Sequence, residues 1–319
     1  MKPMTIDAQA ALGFVTAEGR NVETRIYARR YPTYNYAADV PVVTEGAPWA
    51  IGTQFRISDW VGKAKFVSGK AKDIPFVKTT RELQSHNFLM IAAGWEWSIE
   101  EVEQARLYGA SINADDAMAG DMAVQQKLYE LAMVGDAEVN WTGLVNNASV
   151  QRADAATVSG STFWGSNKDA DDMAADVNAA LEMVRANSGE VEMADTVRLP
   201  PEAFRTAATR RLGVGDGTLN VLDYIRKNNI YTAETGLPLD IAPLRDLATA
   251  SNDGGGRLIA YRKDPEVVRF HAPLPRMVLP VNQTGLMSFE QGVISRTGGT
   301  EIRLPGAMAY IDEITNVPS

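Results

Sequence analysis

Two histidines, a glycine-rich turn and a group of aspartates are the residues with the plainest chemical potential. His86 and His271, the only histidines, sit in apolar or strand-like surroundings, where an imidazole is more often packed than used as a ligand or base. The 319-residue chain has no cysteine, which removes disulfides, thiolate ligands and a cysteine nucleophile and leaves little material for a transition-metal site. Gly213-Val214-Gly215-Asp216-Gly217 precedes a helix, but a phosphate loop needs a preceding strand and either Gly-Lys-Ser/Thr or dinucleotide glycine spacing. It reads as a turn. Asp169, Asp171 and Asp172 lack the glycine and twelfth-position glutamate of a calcium loop and read as the acidic first turn of a helix. Carboxylate pairs are plentiful, yet no spacing singles one out for acid/base work. The expectation is no catalytic residue, no cofactor, no metal and no enzymatic activity. The contrary reading is a soluble α/β enzyme with a pocket in residues 150–280.

The length suggests about two domains with a sizeable core, and 45% hydrophobic with 22% charged residues is an ordinary globular composition. The amino end lacks a basic start followed by an apolar run. The longest apolar run, residues 88–95, falls short of the ~18 residues a membrane helix needs. These features lead to the expectation of a soluble protein without a membrane partner. The net charge of -9 argues against broad affinity for a nucleic-acid backbone, though not against enclosing nucleic acid.

The elements centre on residues 95–147. Ser98 and Glu101 have the Ser-x-x-Glu spacing of a capping box, and Gly109 offers a left-handed stop. Asn113 caps a second helix over residues 114–134, with Asp115 and Asp116 in its first turn and Gly135 closing it. That helix is roughly 31 Å long at 1.5 Å per residue, with Ala114, Ala117, Met118, Met122, Gln125, Leu128 and Ala132 as its apolar stripe. Upstream, a helix at 5–15 and a strand at 22–28 precede an extended arm at 29–45, which holds Tyr31, Tyr34 and Tyr36 and is broken by Pro32 and Pro41. Residues 51–80 read as a two-stranded ribbon turning at Ser68-Gly69 and returning through Ile74 and Phe76. The ribbon carries six cations against two acids, and residues 96–138 carry ten acids against two cations. Basic ribbon and acidic helices can attract, within one molecule or between copies.

Residues 86–97 suit a buried strand. Residues 148–162 read as a loop or crossover, followed by helices at 169–186, 202–211 and 219–227 around a strand at 196–199. Strands follow at 258–261, 267–271 and 277–281, then a hairpin around Gly298-Gly299 and a last strand at 307–311.

Several segments in order resemble the tailed-phage major capsid proteins of the Hong Kong 97-like fold, in particular an encapsulin-like branch. They are Val40-Pro41-Val42 with Glu45-Gly46 and Trp49, Val61-Gly62-Lys63-Ala64, Asp73-Ile74-Pro75-Phe76, the run from Gly94 to Glu101, Gly135-Asp136 and Gly143-Leu144-Val145-Asn146, with an ending at 303–311. The resemblance implies an α+β fold with an N-arm (1–50), an extended E-loop hairpin (51–80), a peripheral domain with a long spine helix (81–147 and 282–319) and an axial domain (148–281). It implies a structural protein that self-assembles as hexamers and pentamers into an icosahedral shell around double-stranded DNA. Such a protein is a virion component assembled in the bacterial host cytoplasm. The first 50 residues leave no room for a long internal scaffolding domain, so scaffolding, portal and decoration proteins would be separate partners. An encapsulin nanocompartment is the alternative of the same fold. Some relatives cross-link a ribbon lysine to a neighbour's asparagine; no partner asparagine or catalytic acid aligns here, so no cross-link is expected. The expected assembly contact joins Lys63, Lys65, Lys70 and Lys72 to Asp115, Asp116, Asp121 and Glu130. Reversing the four lysines to glutamate is expected to lower shell yield, and raising ionic strength to weaken assembly of the parent. Counting particles by electron microscopy checks both, and an unchanged yield removes the electrostatic contact.

Overall fold

The computed structural model describes residues 34–64, 66, 76–108, 112–165, 168–212 and 219–316. The expected elements at 5–15 and 22–28, the Ser68-Gly69 turn, Gly109 and the Gly213 turn lie outside the described residues.

After a turn of 3-10 helix at Tyr36–Ala38, β1 (Val42–Val43) leads to the ribbon, β2 (Gly52–Val61) and β3 (Lys78–Asn87). The two strands pair antiparallel from Gly52↔Asn87 to Val61↔Lys78, so the ribbon runs to residue 87 rather than 80. The returning strand escaped the pattern because Lys78 to Asn87 is largely polar on both faces, and an exposed ribbon has no buried side to enforce alternation.

Next come β4 (Leu89–Ser98), α1 (Ile99–Tyr108), α2 (Ile112–Met133), and a short pair, β5 (Gly135–Asp136) with β6 (Trp141–Thr142). The capping box forms as expected: Ser98 N donates to Glu101 Oε2 at 2.8 Å and Glu101 N to Ser98 Oγ at 3.2 Å. Gly135, at φ +82°, ends α2 where a side chain would strike the Trp141 carbonyl. Two expectations change. Asn113 is the second residue of α2, not its cap. The buried face of α2 is Val124, Leu128, Leu131 and Ala132, whereas Met118 and Met122 are 58% and 41% exposed.

The third part holds β7 (Gln151–Asp154), α3 (Ala170–Asn187), β8 (Thr196–Leu199), α4 (Pro201–Thr209), α5 (Val221–Lys227), α6 (Ile230–Thr235) and β9 (Asp240–Pro243). Asp169 and Asp172 cap α3 reciprocally, at 2.9 and 3.0 Å, so these aspartates are a helix start. Asn229 caps α6 through the Thr232 amide at 2.8 Å, and left-handed Gly236 ends it; the sequence pattern predicts neither this helix nor β9.

A 3-10 turn at Arg245–Thr249 opens the last part: β10 (Gly256–Tyr261), β11 (Val268–His271), β12 (Leu274–Val278), β13 (Asn282–Gln283), β14 (Ser288–Thr297), β15 (Gly299–Ile302), a 3-10 turn at Pro305–Ala307 and β16 (Met308–Thr315). β14 and β15 do not form the expected hairpin: β14 pairs along its length with β4, and β15 with β11. A single residue, Gly298, cannot turn one strand back onto the other, so the chain changes sheet instead.

Three sheets organise the body. One runs β7-β16-β10-β8-β9, one places β14 between β4 and the β12/β13 edge, and one adds β1 to β11 and β15. The five-stranded sheet separates two apolar cores. Leu258, Ala260, Ala309 and Ile311 enter a core with α3, α4 and α5, and Ile259, Tyr261, Met308 and Tyr310 enter a core with α2 and β11. β10 is therefore buried at all six positions, which is why its run Leu258–Tyr261 is apolar without alternation. The wall contains one fully buried ion pair: Arg257 grips Asp312 with Nε at 2.5 Å and Nη2 at 2.8 Å, and donates Nη1 to the Val145 carbonyl at 2.7 Å. Asp312→Ala, which leaves a buried guanidinium unpaired, is expected to cost about 3–5 kcal/mol, whereas an apolar replacement of both partners is expected to be near neutral. Urea unfolding midpoints of the two variants check this.

Candidate assembly interface

The surfaces that can meet another copy are the ribbon, the spine helix α2 with the sheet beneath it, and the arm. Each is positioned by contacts that lie far apart in the sequence.

The spine lies across β4 and β14 by means of one small residue. Trp95 packs onto α2 at Gly120, where an added Cβ would come within 2.4 Å of the indole. Trp97, two residues along the same face of β4, donates Nε1 to Asp116 Oδ2 at 2.7 Å. β4 is thereby covered on one face only, and Leu89 and Met90 stay exposed, so it is not the buried strand expected from its composition. The opposite face presents Gly94 across from Gly292 and Glu96 across from Glu290.

Among the described residues the expected charge contact is not made within the chain. Asp116 is taken by Trp97, Asp121 lies 2.5 Å from Arg276 on β12, and Glu130 is 3.5 Å from Lys127. Lys127 binds Asp136 more closely, at 2.9 Å, and that hydrogen bond is the main cause of its raised pKa. Lys63 is exposed. Lys65, Lys70, Lys72 and the Asp115 side chain lie outside the described residues.

The arm is held where it joins the body. Tyr36 packs on Phe270 with centroids 4.8 Å apart, and Tyr261 donates to the Asp39 carbonyl at 2.7 Å. Arg198 on β8 binds Asp39 at 2.6 Å and Asp240 at 2.9 Å, and β1 adds in parallel to β11. The ribbon base is held by a group that no spacing could reveal: His86, His271, Glu301 and Arg303. His271 Nε2 donates to Glu301 at 2.7 Å, and Arg303 Nε to the same carboxylate at 3.0 Å. Burial pushes the Glu301 pKa up, but the His271 hydrogen bond and the Arg303 charge outweigh it and hold the carboxyl below its ordinary value.

Two troughs of ≈ 330 Å³ are open surfaces, one over Ala92 to Gly94 and one beside Phe55 and Arg269. Among the described residues no group of three acids or histidines could hold a metal ion, and no helix is long and apolar enough to cross a membrane. The major capsid protein family matches the chain over residues 62–314. The chain belongs to that family. The structure of the capsid of Myoviridae phage XM1 is similar to it with a TM-score of 0.78 at 17% identity, over 97% of this chain and 99% of that one. Proteins of Microbacterium phage Oxtober96 (TM-score 0.63, 14% identity, 96% and 98% coverage) and Mycobacterium phage Adephagia (0.61, 14%, 98% and 99%) share the fold. No curated protein sequence matches it. The major capsid protein described here thus has the α+β Hong Kong 97-like fold of tailed phages, is a shell component of the virion that associates with itself, and is structural rather than enzymatic.

The contact between spine and sheet gives a test whose sign differs from helix propensity. Alanine for glycine inside a helix ordinarily stabilises by roughly 0.5–1 kcal/mol. Gly120→Ala in this capsid protein is expected instead to destabilise by about 1–3 kcal/mol through overpacking against Trp95, read as a lower urea midpoint at unchanged slope.

Proposed function

We propose that the chain assembles as hexamers and pentamers into an icosahedral shell around a double-stranded DNA genome, in the host cytoplasm, through contacts of arm, ribbon and axial domain. The observation that carries this reading is the ribbon. Its ten antiparallel pairs join no third strand among the described residues, and Phe66, Phe76, Val77 and Leu83 are exposed on it. A two-stranded ribbon alone is marginal in water, and apolar side chains at its far end need a surface to bury against. A neighbouring copy supplies that surface in a closed shell.

On this reading residues 1–50 form the N-arm, the ribbon is the E-loop, residues 81–147 with 282–319 form the peripheral domain and 148–281 the axial domain. Residues 244–272 contribute to the core beneath the spine and so bind the two domains together. The assembly contact couples Lys63, Lys65, Lys70 and Lys72 of one copy to Asp115, Asp116, Asp121 and Glu130 of the next, exchanging the within-chain partners described above. The acidic balance suits a container, because a wall without strong positive charge lets DNA enter and leave. Separate scaffolding, portal and decoration proteins complete the particle.

Negative-stain electron microscopy with size-exclusion chromatography of the protein expressed alone tests this. Closed shells or rings of five and six are expected, and a monomer or dimer that stays dispersed when a scaffolding protein is added overturns the reading. Nucleic acid rather than an enzyme cargo inside purified particles separates the phage capsid from a nanocompartment.

A further inference from the structure

The two histidines stand 185 positions apart in the sequence and meet at the base of the ribbon, with ring centroids 5.4 Å apart. We infer that His86 and His271 form a proton-operated latch that fixes the ribbon to the body at neutral pH and frees it under mild acid.

His86, next to last in β3, donates Nε2–H to the Gly298 carbonyl at 2.5 Å and stacks on Trp141 of β6 at 6.0 Å. This approach depends on residue 298 being glycine, since a Cβ there would lie 2.8 Å from Phe88 and 3.0 Å from His86. On the body side, His271 donates to Glu301, and Glu301 also accepts from Arg303. The Arg303 guanidinium lies 4.1 Å over the ring of Phe55 on β2. Both ribbon strands are therefore tied to one small charge cluster, β3 through His86 and β2 through Phe55.

The cluster is short of negative charge. The charged and titratable groups that act on His86 are Glu301 on β15, Arg303 just beyond it and His271 on β11. Trp141 and Phe88, which also pack here, carry none. Behind them Arg269 stands directly across from Glu301 in the β11–β15 ladder, with Glu45 and Glu266 acting on it from outside the latch. Glu301 already serves His271 and Arg303, so a proton on His86 adds a cation beside an arginine and a second histidine with no carboxylate left to take it. The pKa of His86 is lowered accordingly, first by burial, with the Gly298 hydrogen bond and Glu301 opposing and His271 and Arg303 adding to the effect. The sign follows from linkage: the docked ribbon binds fewer protons than the released one, so docking strengthens as pH rises. It is complete above the ordinary histidine value of about 6.5 and is lost as pH falls through the depressed value of His86.

The absence of cysteine makes the test direct. Spin labels are placed on Ala64→Cys in the ribbon and Ala137→Cys in the body of the soluble full chain, and their distance distribution is measured from pH 7.5 to 5. A narrow distribution that broadens below about pH 6.5 is expected, with His86→Gln, which keeps a donor for Gly298 but cannot take up a proton, staying narrow throughout. No broadening in the parent, or equal broadening in His86→Gln, overturns the latch. If His86→Gln is already broad at pH 7.5, the imidazole titrations decide. The chain yields only two such signals, assigned with His271→Gln. A His86 midpoint depressed below 6.5 and coincident with the broadening supports the latch, and one at or above 6.5 overturns it. The measurement is made before assembly, so its outcome is independent of whether shells form.

Discussion

The strand pair β10–β16 is the constraint on which the remaining structure depends. A sheet covered on one face can shift its register or tilt at modest cost. A pair whose alternate residues enter two different cores cannot, because any slip exchanges the residues of both cores at once. The bidentate Arg257–Asp312 pair tightens this further. Its buried charges are satisfied only when the β10–β16 register and the position of the Val145 carbonyl agree. Domain arrangement in this capsid protein is thus a property of one shared wall, and the two cores behave as a single body.

The ribbon and the arm leave the body through small attachments. The ribbon carries its own ladder and meets the body through a few side chains at its base, and the arm through Tyr36, Asp39 and β1. The ribbon's attachment draws on few buried apolar groups and several polar ones, which is the composition of segments that open at low free-energy cost, whereas the arm also buries Val40 in the core.

Elements governed by local chemistry were legible in the sequence. The Ser98–Glu101 and Asp169–Asp172 caps, the Gly135 stop and the run at Thr196–Leu199 follow from neighbours within a few residues, and all formed as read. The errors share a cause in tertiary contact. Met118 and Met122 look like core on hydrophobicity, yet the spine turns toward Gly120 because β4 offers an indole there. The β3 strand is polar on both sides and so carries no period to detect. Gly298-Gly299 has the composition of a hairpin turn, but the strands it joins belong to different sheets. The residues proposed for the assembly contact were legible only as charge: Lys63, Asp116, Asp121 and Glu130 stand out by type, whereas the pairing of His86 with His271 depends on a fold that brings distant residues together.

β16, which completes both cores, is the last strand to leave the ribosome among those described. Its partners β7 and β10 lie upstream, and β1 likewise waits for β11, more than 200 residues later. A nascent chain can cap helices and pair the ribbon, but it cannot close either core until β16 has been made, and loop closure over such separations is slow. Translation itself therefore acts as an inspection step. A product that stops before β16 lacks the strand that both cores require and is left as substrate for proteases and chaperones.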